Sequence, residues 1–423
     1  MLNNQKSNST SEEFAKQKNV DSIPFRIEFI RDLLIGNKID PMIEFDYCDT
    51  EKMITHHNHS INEECTDIRC MLNKKTYDFN KVITKIGGKL LYIKSGTTGH
   101  TFKGICNPNS DININYAVKI VAYPKKEKYG DINDAKRPEN AELLIIRLLS
   151  YFVINRQTPH IVLPIGTFNT TIDPFVSLSK NNIVKNKKYD AFVKRVEKKE
   201  YYNEVSVLIS EWANGGDLLD YIRKNYQNFK TRHWRVIFFQ ILSVLAVIQK
   251  KYDSFRHNDL KANNILVQEI GKSLTTNNKF KHDINGQEYI VPNIGINVKI
   301  WDFDFATIPG IVDNAKVEAE WTNKINVKPK RNRYYDVHYF FNTLTKNGFF
   351  PEFYESDKIS KSAKEFVRRI VPPQYASGKY VTDRGRIKIN KEITTPDKIL
   401  KTDPFFEKMR VNKNVKYKSS SSN

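Results

Sequence analysis

His257-Asn258-Asp259-Leu260-Lys261-Ala262-Asn263-Asn264 packs three chemically distinct groups into one short stretch. Asp259 can take a proton from a hydroxyl, Lys261 puts a cation two residues away, and Asn264 offers an amide oxygen to a metal. Thirty-eight residues past Asn264, Lys299-Ile300-Trp301-Asp302-Phe303-Asp304 closes a short apolar run with a second metal-binding carboxylate. A positioned hydroxyl, a cation and two oxygen ligands for a hard metal are the parts that phosphoryl transfer requires.

Order and spacing resemble the H-R-D-L-x-x-x-N and D-F-G pair of protein kinases, with Asn258 and Asp304 as substitutions. The resemblance covers about residues 85–410. It implies an α+β, bilobal kinase-like fold: a small β-rich N-lobe with one main helix, and a larger, mostly helical C-lobe. The expected layout is an N-terminal extension over 1–80, partly disordered, then N-lobe and hinge over 81–213. The C-lobe follows over 214–410, and a basic, Ser-rich disordered tail over 411–423.

The hydrophobic content of 39% and aromatic content of 12% are ordinary for a globular chain of 423 residues, long enough for a sizeable core. The polar start is no secretory signal, and no apolar run reads as a membrane span. Four Cys, unevenly spread, make no disulfide framework and favour a reducing compartment, so an intracellular, soluble protein is expected. Lys and Arg number 68 against 48 Asp and Glu, a net +20. That excess suits acidic protein partners, nucleic acid or an anionic membrane surface, and equally suits a solvated surface in a Lys-rich chain.

Apolar spacing predicts a short helix over Ile23–Ile35, stopped by Gly36-Asn37. From Lys81 the pattern turns to strands, with Leu90–Ile93 and Tyr116–Val121 flanking a Gly-containing turn. Pro138 opens a helix, Val162–Gly166 and Val205–Ile209 read as strands, and a polar insertion lies near 169–200. The stripe Trp234, Ile237, Phe238, Ile241, Leu242, Leu245, Ile248 predicts a long helix behind Thr231 as N-cap. A second polar insertion spans about 268–296, and closing helices are expected near 363–369 and 396–406.

On the kinase resemblance, Ser95–Phe102 takes the place of the phosphate-cradling loop. Gly96 and Gly99 let backbone N–H groups approach phosphate, Lys94 occupies the first Gly position, and Thr101 lies over the adenine. Ala117-Val118-Lys119-Ile120 supplies the strand whose Lys119 pairs the α- and β-phosphates, held by Glu142, with Glu139 as the fallback. Backbone groups from Glu211 to Ala213 would bond the adenine edge, with Ser210 as a small gatekeeper. Asp217 would contact ribose or substrate, or cap the next helix. Asp259 would orient the substrate hydroxyl and Lys261 the γ-phosphoryl, while Asn264 and Asp302 hold Mg²⁺ or Mn²⁺ across the phosphates of ATP. His257 and Phe303 read as packing residues.

Asn258 replaces the Arg that in regulated kinases receives an activation-loop phosphate, which argues against switching by that route. Asp304 replaces a glycine, and a second carboxylate there would either tighten metal binding or repel phosphate. Asp336 fits the buried Asp that braces the catalytic loop. The Asp-Phe-Asp triplet, the run Tyr334-Tyr335-Asp336-Val337-His338-Tyr339-Phe340-Phe341 and the insertion before Asp302 resemble serine/threonine kinases of large nucleocytoplasmic DNA viruses, including the poxvirus kinase needed for virion assembly. That resemblance implies an active kinase of protein substrates, associated with virions or with host cytoplasm.

Two weaker constellations stand apart. Cys48, His56, His57, His59, Cys65 and Cys70 contain enough ligands for a zinc site, at spacings of no standard finger. Lys328-Pro329-Lys330-Arg331-Asn332-Arg333 would favour acidic residues around a target Ser or Thr, or simply be a solvated, nucleic-acid-binding or import segment. The competing functional readings are a pseudokinase acting as a scaffold, toward which Asp304 and the sparse Gly loop lean, and a small-molecule kinase, against which Lys261 and the closing helices argue.

Overall fold

A computed structural model describes residues 21–36, 39–43, 45, 66–86, 88–96, 99–106, 114–180, 183–270, 279–328 and 330–411. Helix α1 (Ile23–Leu34) starts at Ser22, whose side chain accepts from Phe25 N at 3.4 Å. Helices α2 (Ile68–Leu72) and α3 (Phe79–Ile86) follow. Phe79, Val82, Ile83 and Ile86 are buried at helical spacing in α3, so the strands begin at Gly88 and not at Lys81.

Strands β1 (Gly88–Ser95), β2 (His100–Cys106) and β3 (Ile114–Pro124) form an antiparallel meander. Helix α4 (Pro138–Ile154) then crosses to β4 (Pro164–Thr171), which starts two residues later than the apolar run suggests. The insertion expected to be merely polar contains two helices, α5 (Asp173–Lys180) and α6 (Lys187–Glu197). Tyr189 and Phe192 of α6 pack on His100 at ring distances of 4.4 and 4.6 Å, which gives the insertion an apolar seat. Strand β5 (Tyr201–Glu211) completes a five-stranded sheet in the order β1-β2-β3-β5-β4.

Helix α7 (Leu218–Asn225) leads into α8 (Thr231–Lys251). Lys230, not Thr231, is the N-cap residue of α8; its backbone N–H donates to His233 Nδ1 at 2.9 Å. Among the described residues, α8 alone is long and apolar enough to cross a membrane. Its apolar window is 78% buried, with Val236 to Gln249 all inside, so it serves as the axis of the helical part.

Strands β6 (Ile265–Glu269) and β9 (Ile296–Ile300) pair antiparallel, with Ile265 opposite Ile300. The second insertion, between them, carries the hairpin β7 (Lys279–Ile284) and β8 (Gln287–Pro292). Short helix α9 (Ala315–Glu318) lies in the segment after Asp302. Helices α10 (Tyr335–Leu344), α11 (Glu352–Glu355), α12 (Lys361–Ile370) and α13 (Pro396–Thr402) close the chain around α8. The result is sheet-rich first and helical afterwards, as the α+β expectation has it.

The N-terminal extension is bound to this body at several points. Lys75 and Tyr77 exchange backbone hydrogen bonds with Asn169 on β4. Lys74 is buried, its Nζ donating to Tyr123 OH at 2.6 Å and Ser206 Oγ at 2.8 Å. Arg147 of α4 donates to Met71 O at 2.5 Å. Of the zinc candidates, Cys48, His56, His57, His59 and Cys65 lie outside the described residues, and Cys70 is exposed on α2. The tail beyond Val411 lies outside them too.

Candidate active site

The β6–β9 ladder brings the two halves of the motif together. Because Ile265 faces Ile300, the residues just outside the ladder, Asn264 and Trp301, meet, and Trp301 N donates to Asn264 O at 3.1 Å. His257 Nε2 bonds Trp301 O at 2.9 Å, and the His257 and Phe303 rings, both fully buried, lie 5.1 Å apart. Asp336 accepts from the backbone N–H of His257 at 2.7 Å and of Asn258 at 2.8 Å, bracing the loop from α10. These bonds hold Asn258 at φ 64° and Asp302 at φ 65°, left-handed conformations that Asn and Asp adopt more readily than most residues.

Lys119 is the electrostatic centre. Its Nζ lies 2.6 Å from Glu142 Oε1 and 2.8 Å from Asp302 Oδ1, joining β3, α4 and the segment after β9. Burial alone would lower the Lys119 pKa, but Asp302 and Glu142 outweigh it and hold it above the ordinary lysine value. Burial pushes Glu142 up to about 7 against the pull of Lys119. Asp302 goes the other way: Lys119 overrides burial and holds it at about 2. Glu139, the fallback partner, instead sits 3.0 Å from Arg137.

Asp259 is surrounded by donors. Lys261 Nζ is 2.7 Å and Asn264 Nδ2 3.0 Å from Oδ2, while Tyr339 OH is 3.4 Å from Oδ1. Arg386 Nη2 also reaches Oδ1. Arg386 does not announce itself in the sequence, and Tyr339 stands out only as part of the Tyr334–Phe341 run; both meet Asp259 only through tertiary packing.

Gly96 N donates to Gly99 O at 2.8 Å across the β1–β2 turn. A Cβ on Gly99 would meet Ile120 O at 2.8 Å, so close approach to β3 already demands glycine there. Thr101 sits opposite Lys119, and Ala117 opposite buried Ser210. Ala213 is buried beyond the end of β5. Asp217 accepts from Asp220 N at 3.1 Å, capping α7, and lies 3.9 Å from Lys94.

Glu211 turns its side chain away from the expected adenine edge, toward the back of the sheet. Its backbone N–H donates to Leu163 O at 3.1 Å within the sheet, and its side chain is buried at the back. There Arg26 Nη2 lies 2.5 Å from Oε1, and Lys299 Nζ 3.3 Å from Oε2 and 2.7 Å from Asp21 Oδ1. Arg26 also donates to Pro159 O at 2.8 Å and Ile161 O at 2.6 Å. Burial would raise the Glu211 pKa, but Arg26 and Lys299 prevail and lower it. An Arg in an N-terminal helix gives no sequence signal of this role.

Asp304 needs no left-handed backbone, so a Cβ is tolerated where kinases have glycine. Its Oδ2 is 2.5 Å from Lys316 Nζ, and that ammonium lies 3.8 Å from the centre of the Phe305 ring. ATP and a divalent cation fit this donor set. Asp302 keeps a third of its side chain accessible, Asn264 spends its amide nitrogen on Asp259 and leaves Oδ1 for a cation, and Lys119 is fixed as an ammonium beside them.

Residues 113–405 match the family model described as poxvirus serine/threonine protein kinase. The chain belongs to that family. A protein of Acanthamoeba polyphaga mimivirus, named as a serine/threonine-protein kinase, is 46% identical over 410 residues, which is 96% of this chain and 83% of that protein. Serine/threonine-protein kinase 2 of vaccinia virus is 35% identical over 115 residues, 27% of this chain and 23% of that protein. A second mimivirus protein of the same kind of name is 27% identical over 283 residues. This poxvirus-family member is therefore a viral protein serine/threonine kinase with a kinase-like fold, and such kinases use ATP and a divalent metal on protein substrates.

Proposed function

We propose that the kinase transfers the γ-phosphoryl of ATP directly to Ser or Thr hydroxyls, with Mg²⁺ or Mn²⁺ held by Asn264 and Asp302. The carrying observation is the bridge that Lys119 makes between Glu142 and Asp302, 2.6 and 2.8 Å away. Bound ATP and metal supply the transferable group and neutralise its charge. Lys119, oriented by Glu142, binds the α- and β-phosphates, and Lys261 turns from Asp259 to the γ-phosphate. Asp259 orients the incoming hydroxyl through the carboxylate oxygen that Lys261 vacates. The turn around Gly96, Gly99 and Thr101 covers the phosphates, Ala117 and the backbone at Ala213 frame the adenine, and Asp217 faces the ribose or the substrate. At Glu211 the backbone carbonyl is the adenine contact, since its N–H is engaged by Leu163 O. The domain limits proposed are 81–213 for the N-lobe and hinge and 214–410 for the C-lobe.

Acidic flanking residues in the target are favoured by Lys328 and Lys330. Both are exposed and make no ion pair among the described residues, whereas Arg331 and Arg333 are engaged by Asp253 and Glu392. The same cations offer a weak contact for nucleic acid or anionic membrane. Viral relatives support action on virion or host proteins, and the presence of the protein in purified virions is the test of the former.

The deciding experiment is Mg²⁺-dependent transfer of labelled γ-phosphate to an acidic Ser/Thr-rich protein by wild type and Asp259→Ala. Transfer that vanishes in the variant supports the mechanism. A folded wild type inert on several substrates and on itself would favour the pseudokinase scaffold.

A further inference from the structure

A tight loop after α12 delivers one side chain to the catalytic Asp. Val381 bridges Ile387, Thr382 N donates to Arg386 O at 2.8 Å, and Arg386 N donates to Thr382 Oγ1 at 3.0 Å. Gly385 turns the chain at φ 85°, close against Thr343 and Asn342 of α10. Asn342 Nδ2 donates to Gly385 O at 2.9 Å, and Asn326 Nδ2, from the end of the activation segment, donates to Ile387 O at 2.9 Å. The loop is thus fixed to α10 on one side and to the activation segment on the other.

Arg386 projects from it and is buried. Its guanidinium lies over the Tyr339 ring, 4.3 Å from the centre, with Nε 3.4 Å from Asn258 O and Nη2 on Asp259 Oδ1. Counted by donors, Asp259 receives Arg386 and Tyr339 at Oδ1, and Lys261 and Asn264 at Oδ2. The four differ in mobility. Lys261 is the more exposed cation, and on the mechanism proposed above it leaves for the γ-phosphate. A planar, stacked and buried guanidinium is pre-organised and stays.

We infer that Arg386 is a positioning residue for phosphoryl transfer: it holds the Asp259 carboxylate in the plane in which Oδ2 meets the substrate hydroxyl. This assignment rests on the kinase reading and deepens it. It also accounts for Asn258. In regulated kinases a phosphate received by the Arg at that position ties the activation segment to the catalytic loop. Here the 381–387 loop, through Arg386 on Asp259 and Ile387 on Asn326, makes that tie with no phosphate.

The test compares wild type, Arg386→Lys, Arg386→Gln and Arg386→Met in the full chain. It reads kcat, KM for ATP and protein, and the Kd of a fluorescent ATP analogue. Lost orientation at the reacting hydroxyl predicts kcat down ~100-fold in Arg386→Met with nucleotide Kd and KM for ATP within about twofold, and at least ~10-fold recovery in Arg386→Lys. If the Met variant loses nucleotide binding, the same comparison is read on Lys against Gln. A Met or Gln variant within threefold of wild type in kcat overturns the assignment. So does a loss of kcat that the Lys variant fails to recover. A wild type that binds nucleotide and transfers nothing brings down the kinase reading itself, and the assignment with it.

Discussion

Lys316 and Asp304 form an ion pair across the activation segment, Nζ to Oδ2 2.5 Å, with the ammonium seated on the Phe305 ring. The second carboxylate beside Asp302, the proposed metal ligand, is therefore already neutralised from within the chain. Lys316→Met should expose Asp304 and lower kcat about tenfold, with a raised metal requirement, because an uncompensated charge two residues from Asp302 competes for the cation. Asp304→Gly should stay within about threefold of wild type, and the double variant should recover most of the loss, which a double-mutant cycle over a Mg²⁺ titration measures. Independent, additive effects of the two changes would refute the pairing.

Glu142→Gln should leave Lys119 held by Asp302 alone. We expect kcat/KM for ATP to fall ~10- to 100-fold, mostly through KM, since the ammonium would tilt toward the metal site. Steady-state kinetics at varied ATP decides it; Glu139→Gln, whose carboxylate faces Arg137, should retain KM for ATP.

Arg26→Met should destabilise the protein by roughly 3–5 kcal/mol, because it leaves the buried Glu211 short of a partner and the Pro159 and Ile161 carbonyls without their donor. Urea unfolding of the full chain gives the number. A change below about 1 kcal/mol would mean that α1 is a passive neighbour of the hinge.

Acid should unfold the protein early. Burial lowers His100 to about 4, His160 to about 3 and His338 to about 4. Between the unfolded value of about 6.5 and these folded values the unfolded chain binds more protons at these histidines, so their contribution to stability falls as pH falls through that window, partly offset by Glu142, which is raised to about 7. Thermal melts from pH 7.5 to 5 should show Tm dropping below about pH 6.5, and a constant Tm would contradict neutral burial.

The grouping of the candidate-site residues was legible because each of its parts is local. Asp259 and Asn264 share one loop, Lys119 follows an apolar strand, and Glu142 opens an apolar helix. Periodicity also placed α1 and α8 within a residue or two. What escaped was tertiary. Arg386 reaches Asp259 across 127 residues of chain and Arg26 reaches Glu211 across 185, and nothing in local composition marks either. The hinge position of Glu211 speaks only for its backbone, whereas its side chain answers to a helix far upstream. The first insertion read as a merely polar stretch because its Lys-rich faces hid the few apolar residues, such as Tyr189 and Phe192, that seat it.

The family match begins at residue 113, downstream of Asp21, Arg26 and Lys74, although the groups these three bind, Lys299, Glu211 and Ser206, all lie within the match. A chain shortened to that match would lose β1 and β2, open the edge of β3, and take Arg26 from Glu211 and Asp21 from Lys299, leaving that buried pair only each other. The heritable unit of this enzyme is thus wider than the part its sequence shares with the poxvirus model. Loss of the segment that carries Asp21, Arg26 and Lys74 would therefore loosen sheet and hinge alike, as if one more strand of the catalytic body had been taken away.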